Sequence, residues 1–183
     1  MIIVEGPDGA GKTTLVDSLV GDLMLDKGKR ATKDRNKLYE VTRQDTYTAL
    51  AKGVKGHKKP LIWDRLFFSE MVYSPLVGRA CEFSAEEQVF VKKILSTLAC
   101  PIIMCRPTLD VVEKNVLEAD QMEGVKENVR GIYNAYGSVA EDMPWLIWYD
   151  YTEELTGKGS FKTYEEIVFA IEHYMTHRSV RSW

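Results

Sequence analysis

The stretch that most narrows what this chain can fold into is its beginning, Met1-Ile2-Ile3-Val4-Glu5-Gly6-Pro7-Asp8-Gly9-Ala10-Gly11-Lys12-Thr13-Thr14. The apolar residues at its start suffice for one buried strand. They run into a glycine-spaced turn that matches G-x-x-x-x-G-K-[ST] from Gly6 to Thr13. Leu15, Val16, Leu19 and Val20 follow at helical spacing. Gly6, Gly9 and Gly11 permit a tight turn and a close approach of the main chain to an anion. Successive N–H groups of the loop, from Gly9 through Ala10 to Thr14, then face a phosphate, and the helix adds its positive end. Lys12 reaches β- and γ-phosphates, and the Thr13 hydroxyl is a candidate ligand of Mg²⁺. The sequence therefore predicts a nucleoside-triphosphate site.

A second sharp feature is Pro60-Leu61-Ile62-Trp63-Asp64-Arg65, an apolar strand running into an acid and an arginine. In parallel sheets ligands collect at the carboxyl ends of strands. Asp64 there would accept from Mg²⁺-bound water, and Arg65 would hold a phosphate with a rigid donor fork. The plainer reading is a helix cap at Asp64 and a surface ion pair at Arg65. The position of both charges directly after a strand favours the site.

The rest of the chain alternates helices with apolar strands. The pattern predicts helices over Thr13–Met24, ended by Asp26-Lys27-Gly28-Lys29, and over Lys37–Lys52, with Leu38, Val41, Tyr47 and Leu50 inward. A short strand is expected at Arg30-Ala31-Thr32 and a basic loop over Lys52–Lys59. Further helices are expected over Leu66–Val77, from the Ser84 cap to Leu98, from Thr108 to Val116, over Val125–Ala140, and from the Thr163 capping box onward. Strands are expected at Pro101–Cys105 and Trp145–Tyr149, with a loop over Asp150–Lys162. Helices interleaved with at least four apolar strands make a three-layer α/β fold with a mostly parallel sheet.

Composition excludes several classes. The 183 residues, 45% hydrophobic and 28% charged, suit one packed domain. A net charge of −3 argues against a broad non-specific nucleic-acid surface. Cys81, Cys100 and Cys105 have no C-x-x-C spacing and read as reduced thiols, which with a strand at the very N-terminus predicts a cytoplasmic protein. No apolar run is long enough to span a bilayer, so no membrane partner is expected. The guanine-reading Asn/Thr-Lys-x-Asp motif is absent, which disfavours a GTPase, and the chain is short for a helicase or transporter motor. Asp8, inside the loop, would be repelled by a triphosphate unless it faces a second substrate, for which a sugar hydroxyl is a natural partner.

These residues resemble a family. Glu5 to Thr14 closely resembles the start of thymidylate kinases, E-G-x-[DE]-G-A-G-K-T-T, and Asp64-Arg65-x-x-x-Ser69-x-x-x-Tyr73 resembles their D-R-[YF]-x-x-S-x-x-A-Y-Q. Asp120-Gln121-Met122-Glu123 is similar to the lid's D-R-[FL]-E, and Val129-Arg130-Gly131-Ile132-Tyr133 loosely resembles V-R-x-G-Y. The resemblance implies a nucleoside-monophosphate-kinase type of P-loop fold, with a five-stranded parallel sheet in the order 2-3-1-4-5. It implies one domain over residues 1–183 with a short lid around 118–126. It further implies ATP and Mg²⁺ as donor and cofactor, a small-molecule nucleotide acceptor, dTMP or a related pyrimidine deoxynucleotide, and a homodimer. Asp8 would touch the acceptor's 3′-hydroxyl, Arg65 its monophosphate, Tyr73 would border its pocket, and the segment after Tyr149 would border the donor adenine.

The departures are specific. The family's R-E-P-G-G segment is absent, Gln121 stands where the lid arginine is expected, and Ser74 replaces a glutamine. Arg106, Lys126 or Arg130 would have to supply the missing charge, and Arg43 with Gln44 are candidates to read the base. Three alternatives follow: a deoxynucleoside kinase, a kinase of a modified pyrimidine in DNA that uses Lys52, Lys55, Lys58 and Lys59, and a nucleotide-dependent binding module.

Overall fold

The computed structural model describes residues 1–31, 38–55, 59–76, 78–119, 124–141, 143, 145–152 and 163–178. The elements run β1 (Ile2–Glu5), α1 (Lys12–Leu23), β2 (Asp26–Lys27), α2 (Leu38–Lys55), β3 (Leu61–Asp64) and α3 (Phe67–Leu76). They continue with α4 (Ala85–Thr97), β4 (Ile102–Cys105), α5 (Leu109–Glu118), α6 (Val125–Glu141), β5 (Ile147–Tyr149) and α7 (Tyr164–Arg178). All strand pairs are parallel, and the sheet order is β2-β3-β1-β4-β5, as the resemblance implied.

Parallel strands need crossovers, which here are the helices. Every residue of β1 and β4 is buried, so both faces of the sheet are covered. α1 packs on β3 and α7, while α3 and α5 both pack on α6. Phe67 is the hub of one layer, with its ring centroid 5.1 Å from Phe68 and 5.0 Å from Phe83. Burying each such side chain contributes about 2 kcal/mol, so the sheet and its flanking layers form a rigid base for whatever sits at the strand ends.

Register does the positioning. Val4 lies opposite Asp64, and Glu5 opposite Met104. The chain therefore leaves β1, β3 and β4 at one level, and Gly6, Arg65 and Arg106 emerge on the same edge. Two helix starts follow the expected capping chemistry. Ser84 and Glu87 form a reciprocal box, and Thr163 N donates to Glu166 Oε2 at 2.9 Å.

The second strand and second helix differ from expectation. β2 lies at Asp26–Lys27, within the stretch expected to stop α1. Arg30 and Ala31 of the expected strand lie outside it, and Thr32 is not among the described residues. α1 ends at Leu23, capped by Met24 in the left-handed region, at its expected end. β2 is exposed on both residues and so has no apolar signature. Gly28 extends it by donating to Ile62 O at 2.7 Å, and its backbone lies so close to Trp63 that a Cβ would stand 2.3 Å from the indole. α2 runs on to Lys55, so Lys52 and Lys55 are helical, while residues 56–58 lie outside the described residues. Its buried face carries Thr42, Asp45 and Thr46 beside Ala49 and Leu50, with Val41 and Tyr47 only half-buried.

Of the expected lid, residues 120–123, with Gln121, lie outside the described residues, as do most of the loop after Thr152 and the tail beyond Arg178. Cys81, Cys100 and Cys105 are free thiols. Among the described residues no helix is long and apolar enough to cross a membrane.

Candidate active site

The phosphate loop takes the shape its glycines allow. Gly6, Gly9 and Gly11 have φ of 141°, 75° and 76°. Lys12 opens α1 and is only 6% exposed. Its Nζ donates to the Pro7 carbonyl at 2.5 Å. Burial, and next the Arg65 guanidinium, push its pKa down to about 8. Thr13 Oγ1 donates to Asp64 Oδ2 at 2.8 Å. A hydroxyl and a carboxylate side by side at a phosphate loop fit Mg²⁺, which takes one or two protein oxygens and completes its shell with substrate phosphates and water.

Beside the loop lies a second cluster. Arg65 Nη2 donates to Asp8 Oδ1 at 2.6 Å, and Tyr73 Oη donates to Asp8 Oδ2 at 2.7 Å. Arg65 Nη1 donates to Tyr136 Oη at 2.9 Å and to Ser69 Oγ at 3.3 Å. Beneath them Glu5, fully buried at the end of β1, accepts from Leu66 N and Ser69 Oγ, each at 2.7 Å, and from Tyr136 Oη at 3.3 Å. The arrangement joins the central strand, the loop, α3 and α6 in one polar network. Burial opposes ionisation of Asp8, but Arg65 and Lys12 outweigh it and hold the carboxyl below its ordinary range. Burial likewise disfavours charge on Arg65, but Asp8, together with Tyr73, Tyr136 and Glu5, outweighs it and raises the pKa. Burial raises those of Tyr73 and Tyr136.

Arg65 has φ of 62°, a left-handed conformation that costs a non-glycine residue roughly 1–2 kcal/mol. Its backbone is held on both sides. Its N–H donates to Val4 O at 2.9 Å, and its carbonyl accepts from Arg30 Nη1 at 3.3 Å. Arg30 is itself fixed by Thr42 Oγ1 at 2.9 Å and Asp45 Oδ2 at 3.3 Å. The buried polar face of α2 thus supports the strained turn that carries Arg65.

The structure brings together Asp8, Lys12, Thr13, Asp64, Arg65 and Tyr73. The other candidates make their contacts elsewhere. Arg43 binds Glu87 on α4, with Nε at 3.0 Å. Arg130 Nη2 binds Glu113 on α5 at 2.9 Å, and Lys126 Nζ donates to Leu117 O at 3.4 Å. The Arg106 guanidinium lies over the Tyr133 ring at 4.4 Å and the Trp148 ring at 5.8 Å, against the backbone of Gly137. Sequence reasoning missed Glu5, Arg30, Asn115, Tyr136 and Tyr151 as parts of the site. Glu5 carried a signal, since a carboxylate ending an apolar strand must find buried partners.

The depressed Lys12 pKa has a sign that can be checked. Bound phosphates favour the ammonium and raise its pKa back toward 10.5. ADP binding should therefore take up protons above pH about 8, and affinity should fall as pH rises through that value. Without nucleotide the sign reverses. The unfolded chain binds the extra proton between about 8 and 10.5, so stability rises with pH across that window. Calorimetry in buffers of different ionisation heat measures the uptake, and proton release at pH 9 would contradict the assignment.

No protein-family profile matches the sequence, and no curated protein matches it. Solved structures are similar to it over nearly their whole length. The YorR protein of Bacillus subtilis, solved in complex with phosphorylated GDP, is 19% identical, with a TM-score of 0.63 over 100% of this chain and 99% of that one. Deoxyadenosine kinase from M. mycoides with bound dCTP is 15% identical, with a TM-score of 0.56 over 94% of this chain and 100% of that one. Thymidylate kinase from Candida albicans is 15% identical, with a TM-score of 0.52 over 97% of this chain and 91% of that one. The chain shares the α/β fold of these structures, with its own phosphate loop following the central strand of the sheet.

Proposed function

We propose that the protein is an ATP-dependent, Mg²⁺-assisted phosphotransferase acting on a deoxynucleoside monophosphate, with dTMP or a related pyrimidine deoxynucleotide as acceptor. One observation carries this reading. Asp8, part of the phosphate loop itself, is held by Arg65 and Tyr73, and it shares an electrostatic environment with Lys12. A loop built only to hydrolyse a triphosphate has no use for a buried, pre-aimed arginine and carboxylate at its mouth. A second substrate does.

The chemistry follows from charge placement. An oxygen of the acceptor's phosphate attacks the γ-phosphorus of ATP, and the bond from that phosphorus to the β–γ bridging oxygen breaks. ADP leaves, and the acceptor's monophosphate becomes a diphosphate. The attacking oxygen is already anionic, so the site needs no strong base. Lys12 and the loop N–H groups hold the donor's phosphates, and Arg65 draws in the acceptor's phosphate. Asp8, kept ionised by Arg65 and Lys12 and oriented by Tyr73, accepts from the acceptor's sugar hydroxyl. Mg²⁺, held through Thr13 and Asp64, would neutralise the β- and γ-oxygens when bound.

The fold shared with a thymidylate kinase supports this reading, and the one shared with a deoxyadenosine kinase favours a second. In that second reading the acceptor is a deoxynucleoside, and Asp8 receives the attacking hydroxyl's proton. Labelled ATP supplied with deoxynucleosides, their monophosphates and duplex DNA bearing a modified pyrimidine separates the possibilities. Label is expected chiefly in a pyrimidine deoxynucleoside diphosphate. Label confined to nucleosides would move the assignment to the second reading, and label in no acceptor would end both.

A further inference from the structure

We infer that Asn115, on α5, is a positioning residue for the phosphate loop, fixing the Gly9 carbonyl outward so that the following N–H groups stay turned toward the donor's phosphates. The inference rests on the nucleotide-site reading above. Asn115 Nδ2 donates to Gly9 O at 2.8 Å and to Tyr151 Oη at 3.3 Å. An amide nitrogen carries two hydrogens, so one side chain serves both partners. Contact on this side is direct. A Cβ at Gly9 would stand 2.9 Å from Asn115 Cβ and 3.0 Å from the Val112 carbonyl, and a Cβ at Gly11 would stand 2.9 Å from Tyr151 Cε1. α5 and the Tyr151 ring therefore bear on the outside of the loop at two of its glycines.

The effect on the inside follows from peptide geometry. A trans peptide sets its C=O and the next N–H on opposite sides. With the Gly9 carbonyl tied to α5, the Ala10 N–H turns inward. There it donates to the Pro7 carbonyl at 3.4 Å, the oxygen that also takes Lys12 Nζ at 2.5 Å. One side-chain amide outside the loop thus sets the direction of a main-chain donor inside it, next to the lysine. The acceptor cluster has its own supports in α3 and α6, through Tyr73, Ser69 and Tyr136. Losing the Asn115 amide should weaken the hold on the donor and spare the acceptor.

The test is binding rather than turnover. Wild type, Asn115→Leu, Asn115→Ala and Tyr151→Phe are titrated calorimetrically with Mg²⁺·ADP and, separately, with dTMP. Asn115→Leu keeps bulk and neutrality while removing the donor, so it decides the matter if Asn115→Ala does not fold. The Kd for ADP should rise about fivefold to tenfold in both Asn115 variants, as expected for one lost, oriented hydrogen bond. The Tyr151→Phe change should be smaller, and the Kd for dTMP should stay within about twofold in every variant. Unchanged ADP affinity in a folded Asn115→Leu protein would overturn the inference, and so would equal losses for ADP and dTMP. Absence of ADP binding by the wild type would instead overturn the nucleotide-site reading on which it rests.

Discussion

Replacing Lys12 with methionine is expected to lower turnover by about 10²- to 10³-fold while leaving the melting temperature unchanged or higher. The two halves of that expectation have one cause. Lys12 is almost wholly buried, and its pKa is pushed from 10.5 down to about 8, so the fold disfavours its ammonium by about 3 kcal/mol relative to water. That cost applies below pH 8, where both folded and unfolded chains carry the charge. Without nucleotide, Lys12 has the Pro7 carbonyl and the nearby carboxylates as partial compensation. Methionine keeps the aliphatic stem and removes the buried charge. With nucleotide, the same ammonium meets a concentrated negative charge, and its loss falls on the transition state. Turnover close to wild type, or a clear fall in melting temperature with activity retained, would show that Lys12 serves the fold rather than the chemistry.

Arg65→Met should act in the opposite way on stability and equally severely on activity. Arg65 is the foremost of the partners that offset the burial of Asp8, and it also donates to Tyr136 and Ser69. Removing one partner of a buried ion pair typically costs about 3–5 kcal/mol, because the other charge remains without compensation. Here Lys12 stays near Asp8 and Asp8 keeps some exposure, so the lower end, about 3 kcal/mol, is expected. Transfer to a monophosphate should fall by about 10³-fold. The double variant Arg65→Met with Asp8→Asn should regain most of the stability, since neither charge is left alone, and none of the activity. Denaturant unfolding of the four proteins in this cycle measures the coupling. Additive losses would mean that the pair is not the unit described here, and a double variant that transfers phosphate would remove Arg65 from the mechanism.

The parts of this molecule that could be read without coordinates are those where residue type and spacing share one cause. Gly6 to Thr13 declared a phosphate loop because only glycines and a lysine at those intervals make one. Asp64 and Arg65 were visible because they end an apolar run, and Tyr73 because it follows Ser69 by one helical turn and a family carries the same pattern. The sheet order came with that resemblance, not from periodicity. What stayed hidden was polar and buried. Apolar spacing cannot find the inner face of α2, where Thr42 and Asp45 are fixed to Arg30. β2 has two residues, both exposed, and is defined by its pairing with β3 and by Gly28 lying on Trp63. Tyr136 falls inside the helix expected over Val125–Ala140, with nothing in the spacing to single out its hydroxyl, which joins Arg65, Ser69 and Glu5. Asn115 and Tyr151 lie far from the loop in sequence and reach it only because α5 and the end of β5 are folded against it.

Whether one loop serves two substrates is decided by acceptor-dependent formation of ADP by the wild-type protein, followed with Mg²⁺·ATP in the presence and absence of dTMP and other deoxynucleoside monophosphates. ADP should appear with dTMP and in equal amount with dTDP, with little formed when the acceptor is left out. ADP accumulating at the same rate without any acceptor, or failing to form with every deoxynucleoside monophosphate offered, would contradict it.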